Sequence, residues 1–181
     1  MGWSKANKWC TSTARSLANN VADLTGYCGP AVVAWIAAVW ERSKGRSYDY
    51  ETRLADKDLF PDGPKTFTTL SRWLKRETHG DLKLGSFYMP ARYGTLHDRL
   101  EEFDMPIVIR MYPDDIGLHY VTLYKSYKQV RKWKFDRIKF YWQDNGVYGE
   151  KNGGNPGLYG TDYRAVGESA FLYGAKRVTR A

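Results

Sequence analysis

The strongest constraint on the fold is the stretch from Ala31 to Trp40, which is apolar on every side of a helix and carries no polar stripe. A helix without a polar face has to be enclosed by the rest of the molecule. Gly29 and Pro30 stand just before it, and proline, with its fixed φ and missing N–H, suits the first helical turn. The sequence therefore predicts a buried central helix over residues 29–42, with the remaining chain arranged around it.

A cysteine, Cys28, stands directly before this helix. The free N–H groups and the dipole at a helix N-terminus favour an anion, so a thiolate is stabilised there. Most lone cysteines are instead small hydrophobes in a core, and both interpretations are open at this point. The second cysteine, Cys10, lies in the polar N-terminal arm, and a single Cys10–Cys28 bridge stays open. The cysteine spacing is not that of a metal site, and we predict no metal and no cofactor.

Composition and length indicate one folded domain. The chain has 181 residues, of which 43% are hydrophobic and 15% aromatic, which suits a single globular domain over 1–181 with residues 1–20 as a polar arm. No apolar h-region follows Met1, so we expect no secretory signal. The longest apolar run is too short to cross a bilayer, so we expect no membrane association.

The net charge of +8 suits nucleic acid, anionic lipid or an acidic protein as a partner. The basic residues are scattered, and the densest group runs from Lys125 to Lys139. We expect a solvated hairpin there rather than a nucleic-acid interface.

Hydrophobic spacing predicts an α+β domain in which helices come first and an antiparallel sheet follows. Apolar residues at helical spacing predict two more helices, over 66–76 and 93–103. Short β-branched and aromatic runs predict strands at 82–89, 106–111, 118–124, 135–142 and 170–176. Glycine and proline mark a loop-rich connection over 43–65 and a mobile loop over 144–160.

The three histidines differ in their surroundings. His79 lies in a polar turn and His97 lies on an amphipathic helix, and we expect both at the surface. His119 opens a strand, and by alternation it shares a side with Val121 and Leu123. A histidine on the apolar side of a strand needs a partner.

An antiparallel hairpin between residues 118–125 and 136–143 would supply a carboxylate partner for His119. If its turn lies near 130, position 119 falls opposite about 143, and Asp144 ends beside His119. Packing the central helix on that face would bring Cys28 to the imidazole. Cys28 would then attack a carbonyl, His119 would accept its proton and Asp144 would hold the ring. A satisfied core histidine and an ordinary strand-end carboxylate remain the alternative.

Four short motifs occur in a familiar order: Tyr27-Cys28-Gly29-Pro30-Ala31, Asp104-Met105-Pro106-Ile107-Val108-Ile109, Gly117-Leu118-His119-Tyr120-Val121-Thr122-Leu123 and Trp142-Gln143-Asp144-Asn145-Gly146. Over roughly residues 20–146 the chain resembles the papain-like cysteine peptidases. It is most similar to the bacterial double-glycine, bacteriocin-processing group. The resemblance implies a papain-like fold with a Cys28–His119–Asp144 triad.

One feature departs from the family. Its members usually carry a glutamine before the nucleophile as an oxyanion-hole donor, and positions 21–27 contain none. Asn20, with Asn19 as the alternative, is expected to donate together with the Cys28 backbone N–H. Asn145 is the alternative to Asp144, because some relatives use asparagine.

These features predict a cysteine endopeptidase that cleaves an intracellular protein, and the resemblance implies cleavage after small residues such as Gly-Gly. A small basic peptidase without a signal resembles the toxin domain of a bacterial secreted effector. It would act in the target-cell cytoplasm and be held in check by an acidic immunity protein. Two rival functions stay open: an amidase, deamidase or acyltransferase (peptidoglycan amidases included), and a basic non-enzymatic module that binds nucleic acid.

Overall fold

The computed structural model describes residues 28–62, 65–86, 92–102, 105–111, 118–131, 134–143, 159–165 and 174–181. Within these ranges the chain forms four helices and six strands. The helices are α1 (Cys28–Ser43), α2 (Tyr50–Ala55), α3 (Phe67–Glu77) and α4 (Tyr93–Glu102). The strands are β1 (Leu82–Gly85), β2 (Ile107–Met111), β3 (His119–Arg131), β4 (Lys134–Gln143), β5 (Tyr159–Ala165) and β6 (Gly174–Arg180).

The strands form one sheet in the order β1-β6-β2-β3-β4-β5, and every neighbouring pair is antiparallel. The predicted α+β class is therefore confirmed for the part of the chain that the structure describes. Strands β2, β3 and β4 lie where β-branched and aromatic runs predicted them. The predicted strand over 82–89 is confirmed for Leu82–Gly85; Ser86 lies beyond the end of β1, and residues 87–89 lie outside the described ranges.

Helix α1 is the centre of the molecule, as the sequence predicts. Every residue from Gly29 to Glu41 is buried. Its apolar surface contacts α3 and one face of the sheet, and Trp35 packs on Tyr124 with ring centroids 5.3 Å apart. The residues that α1 meets on these two surfaces are Leu70, Trp73, Leu74, Leu82, Val108, Tyr120, Tyr124 and Val178.

Helix α4 covers the opposite face of the sheet. Leu96 and Leu100 pack on a second apolar cluster, formed by Ile107, Ile109, Val121, Leu123 and Ala175. Strands β2 and β3 are thus covered on both faces, which explains the unbroken apolar run Ile107-Val108-Ile109: alternate residues serve two different layers.

The expectation that α1 covers the face of His119, Val121 and Leu123 is wrong. Val121 and Leu123 lie on the same face of the sheet, as predicted, but that face packs under α4. Helix α1 lies on the Tyr120 and Tyr124 face instead. Both faces of β3 are apolar, so alternation could separate them without showing which helix covers which.

The β3–β4 pairing is confirmed, but its register differs from the expected one. Gln143 pairs with Thr122, three residues beyond His119. The register also shifts between Leu123 and Lys125, which leaves Tyr124 as an extra residue in β3. Such a bulge reverses the alternation. Beyond it an even-numbered residue, Ser126, lies on the α4 side.

Three other boundaries differ from expectation. The connection over 43–65 contains the short helix α2, whose N-cap Asp49 accepts a hydrogen bond from the Thr52 backbone N–H. A helix of six residues is too short to show a periodic pattern. Strand β5 begins at Tyr159, inside the predicted glycine-rich loop, and β6 lies four residues later than the strand predicted over 170–176.

Among the described helices, none combines the length and the apolar character needed to cross a membrane. The predicted N-terminal arm (1–20) and the loop over 144–158 lie outside the described residues.

Candidate active site

Cys28 is the first residue of α1, and its thiol is free and half-buried. Gly29, the next residue, allows this end of α1 to pack closely against α3. A Cβ on Gly29 would lie 3.1 Å from Leu70 Cδ2 and 3.5 Å from Lys65 Cγ. Glycine therefore lets the start of α3 lie directly against the start of α1.

Tyr120 belongs to the apolar cluster against which Cys28 packs. Its side chain is buried, its hydroxyl donates a 2.7 Å hydrogen bond to the Lys65 carbonyl, and its ring meets Phe67 edge-on at 5.5 Å. Burial raises the pKa of Tyr120, a nearby Arg110 opposes this, and negative charge on Cys28 adds to the rise.

Arg110 completes the group. It pairs with Tyr120 across β2 and β3, and its positive charge opposes the rise in the pKa of the Tyr120 hydroxyl. The guanidinium also lies 5.1 Å from the centre of the Phe67 ring. On the other side Arg110 pairs with Gly174, where a Cβ would lie 2.9 Å from Phe67 Cε2 and 3.3 Å from Arg110 Nε. A side chain there would displace both groups.

We call these residues the Cys28 cluster: Cys28, Lys65, Phe67, Arg110 and Tyr120. They place a thiol at the N-terminal end of α1, and a phenol and a permanent cation on the face of the sheet that α1 covers. Sequence reasoning missed Arg110 and Tyr120. The signal for Arg110 was available, since it is the charged residue of an otherwise apolar strand, at a position that shares its face with Val108.

The structure brings His119 to the same end of the sheet as Cys28. It is the first residue of β3 and is 2% exposed, and its chain neighbour is Tyr120. It pairs with Met111, and strand alternation places it on the α4 side of the sheet, across from α1. The two predicted residues thus belong to one end of the domain but to different faces. Asp144, Asn145, Asn19, Asn20 and Cys10 lie outside the described residues.

The expectation that His97 lies at the surface is wrong. His97 is 3% exposed, on the buried side of α4 between Leu96 and Leu100. Its Nδ1 lies 2.6 Å from the Ser126 hydroxyl, and its Nε2 lies 3.8 Å from a Glu101 carboxylate oxygen. Ser126 is fully enclosed, so this bond ties α4 to β3 and satisfies two buried polar groups. His79 is at the surface, as expected, with its side chain 73% exposed.

Comparison with protein-family models, with curated proteins and with solved structures finds no match. Among the described residues, no three His, Cys, Asp or Glu side chains are grouped as metal ligands. The chemistry of the Cys28 cluster therefore carries the functional inference.

Proposed function

We propose that this protein is a papain-like cysteine endopeptidase with Cys28 as its nucleophile. One observation carries the proposal: a free, half-buried thiol is the first residue of a buried helix, at the end of the domain where Tyr120 and Arg110 pair across the sheet. A nucleophilic cysteine needs access to substrate and surroundings that favour the thiolate. The N-terminal end of α1 and Arg110 supply positive electrostatic potential, and the buried helix holds the sulfur in place.

The reaction follows from the roles of these groups. The Cys28 sulfur attacks the scissile carbonyl, the amine leaves, and water hydrolyses the thioester. His119 accepts the thiol proton and later gives it to the leaving amine, Asp144 orients the imidazole, and Asn20 with the Cys28 N–H binds the oxyanion. Since strand alternation places His119 on the α4 side, its ring has to turn around the end of β3 to reach the sulfur. His119 is 2% exposed, so this role requires a rearrangement of its side chain.

The biological role that we propose is that of a toxin. The chain is small and carries a net charge of +8, which suits an acidic immunity protein that covers the site until the enzyme is delivered. The substrate is a protein of the target-cell cytoplasm, cleaved after a small residue such as the second glycine of Gly-Gly.

The first test is labelling by a peptidyl, thiol-directed inhibitor that ends in Gly-Gly. We expect fast labelling of the wild type, lost in Cys28→Ala and His119→Ala and kept in Cys10→Ala. Mass spectrometry of the labelled protein identifies the modified residue. Slow, equal labelling of both cysteines would show that Cys28 is a core residue, and the proposal would then be abandoned.

The second test concerns the substrate class. Expression of the wild type in a bacterial cytoplasm is expected to stop growth, whereas Cys28→Ala is tolerated at the same protein level. If Cys28 is labelled but the enzyme cleaves peptidoglycan fragments and no protein, the proposed peptidase activity would be replaced by an amidase activity.

A further inference from the structure

Arg110 is held in the Cys28 cluster by contacts on several sides. It pairs with Tyr120 across the sheet, its guanidinium lies over the Phe67 ring, and Gly174 leaves the space that it occupies. Tyr120 is in turn fixed by its bond to the Lys65 carbonyl. Lys65, whose carbonyl accepts the Tyr120 hydrogen bond, also lies against Gly29, the chain neighbour of Cys28. The guanidinium is therefore held on the side of the sheet where α1 begins, without the freedom of a surface side chain.

Packing alone does not explain an arginine at this position, because partial burial of a charged side chain is energetically unfavourable. The neighbours of Arg110 in β2 are apolar, and Val108, two residues earlier on the same face, belongs to the α1 core. A guanidinium stays protonated at every working pH and matches a carboxylate through two parallel N–H···O bonds. At a half-buried position its field is less screened than at the open surface.

We infer that Arg110 is a specificity-determining residue that draws a carboxylate of the substrate to Cys28. This inference rests on the proposed function, since it names the substrate class of the same site. The substrate is then acidic beside the scissile bond, through an aspartate or glutamate side chain; a terminal carboxylate there would instead make the enzyme a carboxypeptidase.

Two small alkylating reagents test the inference without a known substrate. Iodoacetate and iodoacetamide both react by displacement of iodide by the thiolate sulfur, and they differ in that the first carries a carboxylate. The ratio of their rate constants cancels any change in the fraction of thiolate. In a Cys10→Ala background, we expect Arg110→Gln to lower the ratio of iodoacetate to iodoacetamide by about fivefold.

Two further variants separate local from general charge effects. Arg110→Lys keeps the charge and is expected to retain most of the ratio. Arg99→Gln removes one positive charge from α4, on the opposite side of the sheet, where Arg99 pairs with Glu102 at 2.6 Å. We expect this matched control to leave the ratio unchanged. Raising the salt concentration should lower the wild-type ratio toward that of Arg110→Gln.

Matched probes then distinguish the two sources of the carboxylate. Peptidyl electrophiles with aspartate or asparagine beside the reactive group report an acidic side chain. Epoxysuccinyl probes with a free carboxylate or an amide report a terminal carboxylate. A preference for the acid in either pair, lost in Arg110→Gln, supports the inference and identifies the source.

The outcomes separate the two proposals. If Cys28 reacts slowly with every reagent, the proposed function fails. If Cys28 reacts fast and depends on His119, but the iodoacetate ratio is the same in wild type and Arg110→Gln, the function stands and the role of Arg110 is overturned.

Discussion

Glu77, at the end of α3, shows how a single buried carboxylate joins two helices and the connection before them. Its side chain is fully buried and accepts hydrogen bonds from Tyr48 Oη at 2.8 Å, from Arg76 Nε at 2.7 Å and from Arg53. Burial alone would raise the pKa of Glu77, but the hydrogen bonds from Arg53, Tyr48 and Arg76 outweigh it and lower the pKa. The charged form is therefore the stable one in the folded protein.

The lowered pKa of Glu77 predicts a loss of stability in acid. As the pH falls below about 5, the unfolded chain takes up a proton on this carboxyl first, because its pKa there is near the ordinary value of about 4.3. The stabilisation is complete above that value and is lost as the pH falls through the lower folded pKa. We expect Glu77→Gln to be less stable by about 2–3 kcal/mol at pH 7 and to have a shallower acid dependence.

Urea unfolding between pH 7 and pH 3 measures both effects. Glu102→Gln is the matched control, because that side chain is 58% exposed in a surface pair with Arg99 and should change little. An identical acid slope in wild type and Glu77→Gln would show that other carboxyls account for the acid sensitivity.

At the scale of single elements, local sequence signals set the ends of the helices. Thr66 is the N-cap of α3, where its hydroxyl accepts a hydrogen bond from the Thr69 backbone N–H at 3.2 Å. The amphipathic spacing of 67, 70, 73 and 74 then continues the helix to Glu77. Helix α3 carries Phe67 and Leu70, so its start also determines how the Cys28 cluster is enclosed.

Removing this cap should weaken α3. We expect Thr66→Ala to lower the free energy of unfolding by about 1 kcal/mol, since one backbone donor loses its partner. Thr68→Ala is the control, an exposed threonine inside the same helix. Denaturant unfolding of the two variants compares them, and an equal effect of both would show that the Thr66 cap contributes nothing specific.

The β3 bulge is an element-scale feature that the sequence did not reveal. Tyr124 is inserted between Leu123 and Lys125, so the residues before and after it follow opposite alternations. This insertion is what places Ser126 under α4, within reach of His97. A regular strand would have placed Ser126 toward α1, and the His97 imidazole would have lost its buried partner.

At the scale of the whole molecule, one sheet supports two apolar layers. Trp35 anchors the layer between α1 and the sheet, and Leu100 anchors the layer under α4, each with no more than 1% exposure. The two layers share strands β2 and β3, whose alternate side chains belong to one or the other. Each layer therefore depends on strands β2 and β3 being in place, so disrupting one layer should also destabilise the other.

This shared sheet predicts a single cooperative unfolding transition. We expect Trp35→Ala to lower the free energy of unfolding by about 3–5 kcal/mol and Leu100→Ala to lower it by about 2–5 kcal/mol. Both variants should shift the midpoint of the same transition. Far-ultraviolet circular dichroism and tryptophan fluorescence, followed in urea, should coincide in both variants. Two separate transitions in Leu100→Ala would show that the α4 layer melts independently.

The sequence by itself determined the local features. The absence of a polar stripe over 31–40 predicted the buried helix α1, helical spacing predicted α3 and α4, and short β-branched runs predicted strands β2, β3 and β4. It also placed Cys28 at the start of α1 and His119 at the start of β3. These features depend on residues a few positions apart, so the pattern along the chain contains them.

Only the tertiary structure decided how these elements face one another. Because Tyr120 and Tyr124 are as apolar in pattern as Val121 and Leu123, nothing along β3 shows which face receives α1. The bulge at Tyr124, the burial of His97 and the meeting of Cys28 with Arg110 all follow from contacts between residues far apart in the chain. Such contacts depend on how both faces of the sheet pack at the same time, and the hydrophobic periodicity of a short segment does not contain that information.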